Sequence, residues 1–108
     1  MPNLPPKLPM LPEDCQTMID VRAGVDALDA ELIALLARRF GYMRAAARIK
    51  PNRDAVRDEP RKTEVIANAV ALAQAEGLPA DLIGRLWEQL VEGCIGYELG
   101  QWDSTREA

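Results

Sequence analysis

PEDCQTMIDVRAGVDALDAELIALLARRFGYMRAAARI, residues 12–49, carries apolar side chains at three- and four-residue steps: Met18, Val21, Val25, Leu28, Leu32, Leu35, Leu36 and then Tyr42 or Met43. That spacing is the repeat of an α-helix with one apolar face. Pro12 suits a first helical turn, Glu13 and Asp14 put negative charge near the helix N-terminus, and Pro51 biases Lys50 away from helical geometry. The stretch therefore predicts one long helix from about Pro12 to Ile49. At 1.5 Å per residue it would run roughly 57 Å, about twice the span of a compact domain of this length. Its own chain cannot cover it.

Downstream, Asn52 to Glu59 is polar, and Pro60 fits the start of a second helix through Val65, Ile66, Ala69, Val70 and Ala73, with Gly77 as its stop. Pro79 opens a third, whose stripe is Ile83, Leu86, Trp87, Leu90, Val91, Cys94 and Ile95, ending near Trp102. The expected fold is all-α, one long and two shorter helices per chain. The two shorter helices shield only part of the long one, so a second copy packed against the first, an intertwined helical homodimer, is the economical arrangement. A monomeric bundle with the long helix broken near Gly41 is the alternative.

Five of the eight prolines fall in residues 1–12, an N-terminal arm expected to be extended or disordered ahead of a helical domain over 13–108. The composition, 48% hydrophobic but only 5% aromatic, agrees with a helical core rich in Ala and Leu. Seventeen acids against 13 bases give a net charge of −4, which argues against a nucleic-acid partner. No stretch approaches the roughly 18 to 20 apolar residues that span a bilayer, and prolines interrupt the start where a secretory signal would need an apolar block. The expected location is cytoplasmic. Cys15 and Cys94 are far apart in a chain without histidine, so both are read as reduced packing residues and no metal site is expected. With no phosphate-cradling glycine loop and no nucleophile beside a base, the chain offers no apparatus for covalent or cofactor chemistry.

The basic residues carry the remaining signal. Arg22 and Arg39 stand 17 positions apart, about 26 Å along a straight helix, too far to grip one small ligand within a chain. Convergence requires Arg22 from a partner subunit lying antiparallel. Arg39 and Lys50 differ by about 20° in helical phase and share a face. Taken singly each base reads more readily as a solvated surface charge.

The joint pattern is more specific. Val21-Arg22-Ala23-Gly24-Val25-Asp26, then Leu35-Leu36-Ala37-Arg38-Arg39, Lys50, and Val56-Arg57-Asp58-Glu59-Pro60-Arg61 resembles the all-helical chorismate mutases and the closely similar isochorismate pyruvate lyases over about residues 13 to 102. The resemblance implies that Arg39 and the partner subunit's Arg22 bind the two carboxylates of a small dicarboxylate, with Arg61 adding charge. Lys50 would reach a carboxylate and the ether oxygen where charge grows as the carbon–oxygen bond breaks. Arginine suits the first task by its planar fork, and lysine the second as a movable point charge. Glu98 continues the apolar stripe of the third helix, at a position where much of the family has a glutamine that donates to the ether oxygen. Beside a developing oxyanion a glutamate should work in its protonated form; the plainer reading is a helix-end acid paired with a base.

Asp58 matches a position whose backbone lies near the substrate's ring hydroxyl in the mutases. Two departures count the other way: Lys62 stands where those mutases carry a glutamate that accepts from the hydroxyl, and Cys94 replaces a serine that touches the ring carboxylate. Pro12 to Cys15, Arg38 to Ala47 and Trp102 to Arg106 resemble the lyase branch. The implied activity is a cofactor-free rearrangement of chorismate to prephenate in aromatic amino-acid biosynthesis, with Lys50, Glu98 and Arg39 catalytic. The alternatives are isochorismate pyruvate lyase and a non-catalytic helical dimer that kept only the fold.

Overall fold

The computed structural model describes residues 10–107, and among them every regular element is helical. Most of the arm expected over residues 1–12 lies outside that range. The chain forms two compact units that divide between Arg39 and Phe40. The long helix α1, Met18–Ile49, runs through the division and is uninterrupted at Gly41.

In the first unit α1 begins six residues later than its apolar period suggests. Pro12 opens only a 3-10 turn, Pro12–Asp14, and Cys15 is extended. The start at Met18 is set by a reciprocal cap. The Thr17 hydroxyl accepts from the Asp20 amide at 3.2 Å, and the Asp20 carboxylate accepts from the Thr17 amide at 3.3 Å and the Gln16 amide at 3.1 Å. Donors that a helix N-terminus leaves unpaired are satisfied there, as in a capping box. The apolar stripe beyond it is bare within one chain: Val25, Leu28, Leu32 and Leu35 are each at least half exposed.

The second unit holds the last turns of α1, a 3-10 turn at Arg53–Ala55, then α2, Glu59–Ala75, and α3, Ala80–Thr105. Asp58 caps α2 by accepting from the Arg61 amide at 3.0 Å, with Pro60 in the first turn where its missing N–H costs nothing. Gly77, at φ 71°, lets the chain reverse: the Leu78 amide donates to the Ala73 carbonyl at 2.8 Å and the Gly77 amide to the Gln74 carbonyl at 3.1 Å. This is the paired helix-ending motif that needs a left-handed residue.

α2 and α3 pack as an antiparallel pair. Val56, Val91 and Ile95 form the buried core, backed by Val65, Ile66, Trp87, Leu99 and Trp102. Ala69 and Ala73, both buried, present small side chains on the packed face of α2. One expectation needs correction. α3 ends at Thr105, near the expected Trp102, but Leu86 is 49% exposed, so it stands off the buried stripe that Val91, Cys94, Ile95 and Glu98 occupy. Both cysteines are thiols, Cys94 buried and Cys15 partly so. No helix among the described residues is long and apolar enough to cross a membrane.

Candidate active site

Lys50 follows the last turn of α1, its amide still donating to the Ala46 carbonyl at 2.9 Å. Its ammonium reaches Glu98 Oε2 at 2.7 Å and lies 3.5 Å from the Val56 carbonyl. Glu98 is 4% exposed, the one buried charged residue among those described, because it sits one turn beyond Cys94 on the packed face of α3. A carboxylate so removed from water needs a partner, and a charge-assisted bond of this length supplies one. Glu98 is thus both on the buried stripe and paired with a base.

Lys50 is held at its other end too. Its carbonyl accepts from Trp102 Nε1 at 3.2 Å and from the Arg106 guanidinium at 2.8 Å. The same guanidinium donates to the Ala47 carbonyl at 3.0 Å and stacks 4.2 Å from the Trp102 ring centroid. Nearby on α1, Arg44 donates to the Tyr97 hydroxyl at 3.0 Å, and Phe40 meets the Tyr97 ring edge-on at 4.9 Å between centroids.

A second charged cluster joins the start of α2 to α3. Arg57 grips Glu92 with two bonds of 2.9 and 3.0 Å and reaches Glu59 at 2.8 Å, while Lys62 lies 2.7 Å from both Glu88 and Glu92. Arg57 and then Lys62 hold the Glu92 carboxyl down to about 2, and the Lys62 ammonium is pushed up, chiefly by Glu88 and then Glu92. Lys62 is committed to these two carboxylates.

Within the second unit the expected site residues do not all gather. Lys50 and Glu98 meet directly. Asp58 turns its side chain to the α2 N-terminus, and Arg61 pairs with Glu64 on the surface. Arg61 also lines an open, largely apolar groove of about 360 Å³ with Val65, Leu72, Ile83 and Trp87, to which neither Lys50 nor Glu98 contributes. Arg22, exposed, and Arg39, partly buried, belong to the first unit. Sequence reasoning missed the bonds of Trp102 and Arg106 to the end of α1 and the Arg57–Glu92 grip. The four-residue step from Trp102, in the last turn of α3, to Arg106, which follows its end, was the available signal; nothing in the spacing of Arg57 and Glu92 could have shown their pairing.

The chorismate mutase type II family profile matches residues 21–99. The chain is also 30% identical over 97 residues to an isochorismate pyruvate lyase of Pseudomonas aeruginosa, covering 90% of this chain and 96% of that protein.

Proposed function

This chain belongs to the chorismate mutase type II family, and from that premise we propose that it rearranges chorismate to prephenate by a concerted pericyclic shift. The carbon–oxygen ether bond breaks as a carbon–carbon bond forms, with no covalent enzyme intermediate. Such a reaction asks for two things: a flexible substrate held in its compact reactive shape, and positive charge aimed at the oxygen that gains electron density. The observation that carries the reading is the Lys50–Glu98 pair, a lysine ammonium at a buried carboxyl with its backbone anchored.

In this mechanism Lys50 turns part of its three-donor ammonium to the ether oxygen and a substrate carboxylate. Glu98, buried and 2.7 Å from that ammonium, holds it in place beside the oxygen. Arg39 and the partner subunit's Arg22 hold the carboxylates as planar forks, and Arg61 adds charge. The dimer this requires is supported by the bare stripe of α1: each Val or Leu side chain there, about half exposed, stands to gain roughly half of the ~1.5 to 3 kcal/mol that burying a fully exposed one is worth. Catalysis in the cytoplasm, feeding aromatic amino-acid biosynthesis, completes the reading.

A second reading, isochorismate to salicylate and pyruvate, is favoured by the 30% identity to the lyase and by Lys62, which sits between Glu88 and Glu92 where a hydroxyl-accepting glutamate would serve a mutase. Incubation with each substrate and identification of the product decides between them: prephenate from chorismate is expected, and salicylate from isochorismate alone would replace the first reading with the second. The crossed site has its own test. Arg22→Ala and Arg39→Ala are each expected to be inactive, yet mixed subunits should recover about a quarter of wild-type activity, since one site in each mixed dimer is intact. No recovery from subunits shown to exchange would reject a site shared across the dimer.

A further inference from the structure

The proposed function leaves Trp102 and Arg106 unused, although both bond to the residue it depends on most. The last carbonyls of an α-helix have no partner within the helix. At the end of α1 the partners come from the far end of α3: Arg106 donates to Ala47 at 3.0 Å, Arg48 at 3.4 Å and Lys50 at 2.8 Å, and the Trp102 indole donates to Lys50 at 3.2 Å. Arginine suits this work, since its five donors in a rigid fork can serve several carbonyls at once, and its charge complements the negative end of the helix dipole. Trp102 holds the guanidinium flat by stacking at 4.2 Å.

We propose that Trp102 and Arg106 are positioning residues that clamp the backbone of Lys50 so that its ammonium meets the substrate at a fixed place. The inference rests on the role given to Lys50 above. A lysine side chain has four rotatable bonds, and here it is tied at both ends, by Glu98 at the ammonium and by the clamp at the carbonyl. When the ammonium turns in part to a substrate oxygen, its tie to Glu98 is shared and the one at the carbonyl end is not. A shift of about 1 Å in a reacting group can cost a hundredfold in rate, so loosening that end should appear in turnover.

The test combines Arg106→Ala, Trp102→Phe and Lys50→Ala, singly and in pairs. Each protein is assayed for kcat and KM on chorismate and isochorismate, and the lysine ε-carbon signals of Lys7, Lys50 and Lys62 are followed by NMR in protein labelled at lysine. Arg106→Ala is expected to lower kcat about ten- to a hundredfold with KM changed far less. It should shift the Lys50 signal while leaving that of Lys62, and cost nothing further in the Lys50→Ala background. Trp102→Phe keeps a ring for stacking but removes the indole donor; it should show the same pattern with a smaller loss, and serves if Arg106→Ala does not fold. An unchanged kcat with only a lower melting temperature, or an equal loss with and without Lys50, would reduce the clamp to an ordinary helix cap. If the wild type turns over neither substrate while the Lys50 signal still follows Arg106, the clamp stands and the proposed reaction falls.

Discussion

Glu92 and Glu98 both lie on α3, and each meets a lysine ammonium at 2.7 Å, yet the two pairs have different consequences. The Glu92 side chain is 39% exposed and shares two cations, Arg57 and Lys62, in reach of water. The Glu98 side chain is 6% exposed, and Lys50 is its partner. Water and salt screen the first pair, and exposed ion pairs of this kind contribute little to folding. The second has given up its hydration, so removing one member leaves the other badly solvated. Equal distances therefore say little about importance; burial decides which pair can be put to chemical use.

The largest expected contrast is in turnover. Lys50→Ala should lower kcat by about 10² to 10³, the usual cost of losing one donor at a developing oxyanion, whereas Lys62→Ala should change it by no more than a few-fold. Steady-state kinetics on folded variants measures both; similar losses at the two lysines would erase the distinction. Stability should follow the same order. Loss of the Lys50 ammonium leaves a buried acceptor unpaired, worth roughly 1 to 3 kcal/mol in denaturant titrations.

The next contrast is between the two carboxyls. Glu98→Ala removes the partner of the Lys50 ammonium and should lower kcat, whereas Glu92→Ala should leave it nearly unchanged. Equal turnover in the two variants would remove Glu98 from the mechanism.

At Glu92 the expected effect is on folding and depends on pH. Its folded value, about 2, lies below its ordinary 4.5, so the stability it contributes is complete above 4.5 and is lost as the pH falls from there toward 2. Melting temperatures of the wild type should drop more steeply over that window than those of Glu92→Gln, and added salt should narrow the difference. Parallel acid limbs would show that the network is silent.

The smallest effect is expected at Arg53, which is exposed and bonds Asp103 at 2.9 Å. Its guanidinium is pushed up by that carboxylate, but it is ionised at every ordinary pH in either state, so the shift confers no pH dependence there. Arg53→Ala should move the melting temperature by no more than a few degrees.

Much of the helical order was legible because it rests on local rules. Pro60 suits the first turn of α2 and Gly77 ends it, each through a backbone property peculiar to that residue type. The start of α1 was misjudged for the same kind of reason. Thr17 and Asp20 stand three apart, a capping pattern that outweighs a proline five residues earlier, since it satisfies amides while Pro12 merely tolerates a turn. The placement of Glu98 on a buried face followed from its period with Val91 and Cys94, whereas its partner did not, because a bond from Lys50 across 48 positions leaves no periodic trace.

From its sequence alone this chain is committed to three helices, to the order in which they follow one another, and to a carboxyl on an apolar face, because periodicity and end-capping act between residues a few positions apart. Only the folded structure decides which cation that carboxyl meets, that Arg106 closes the end of α1, and that Arg57 and Lys62 turn to Glu92. Those choices depend on which surfaces the packing of helices brings within 3 Å, and no local rule carries that information.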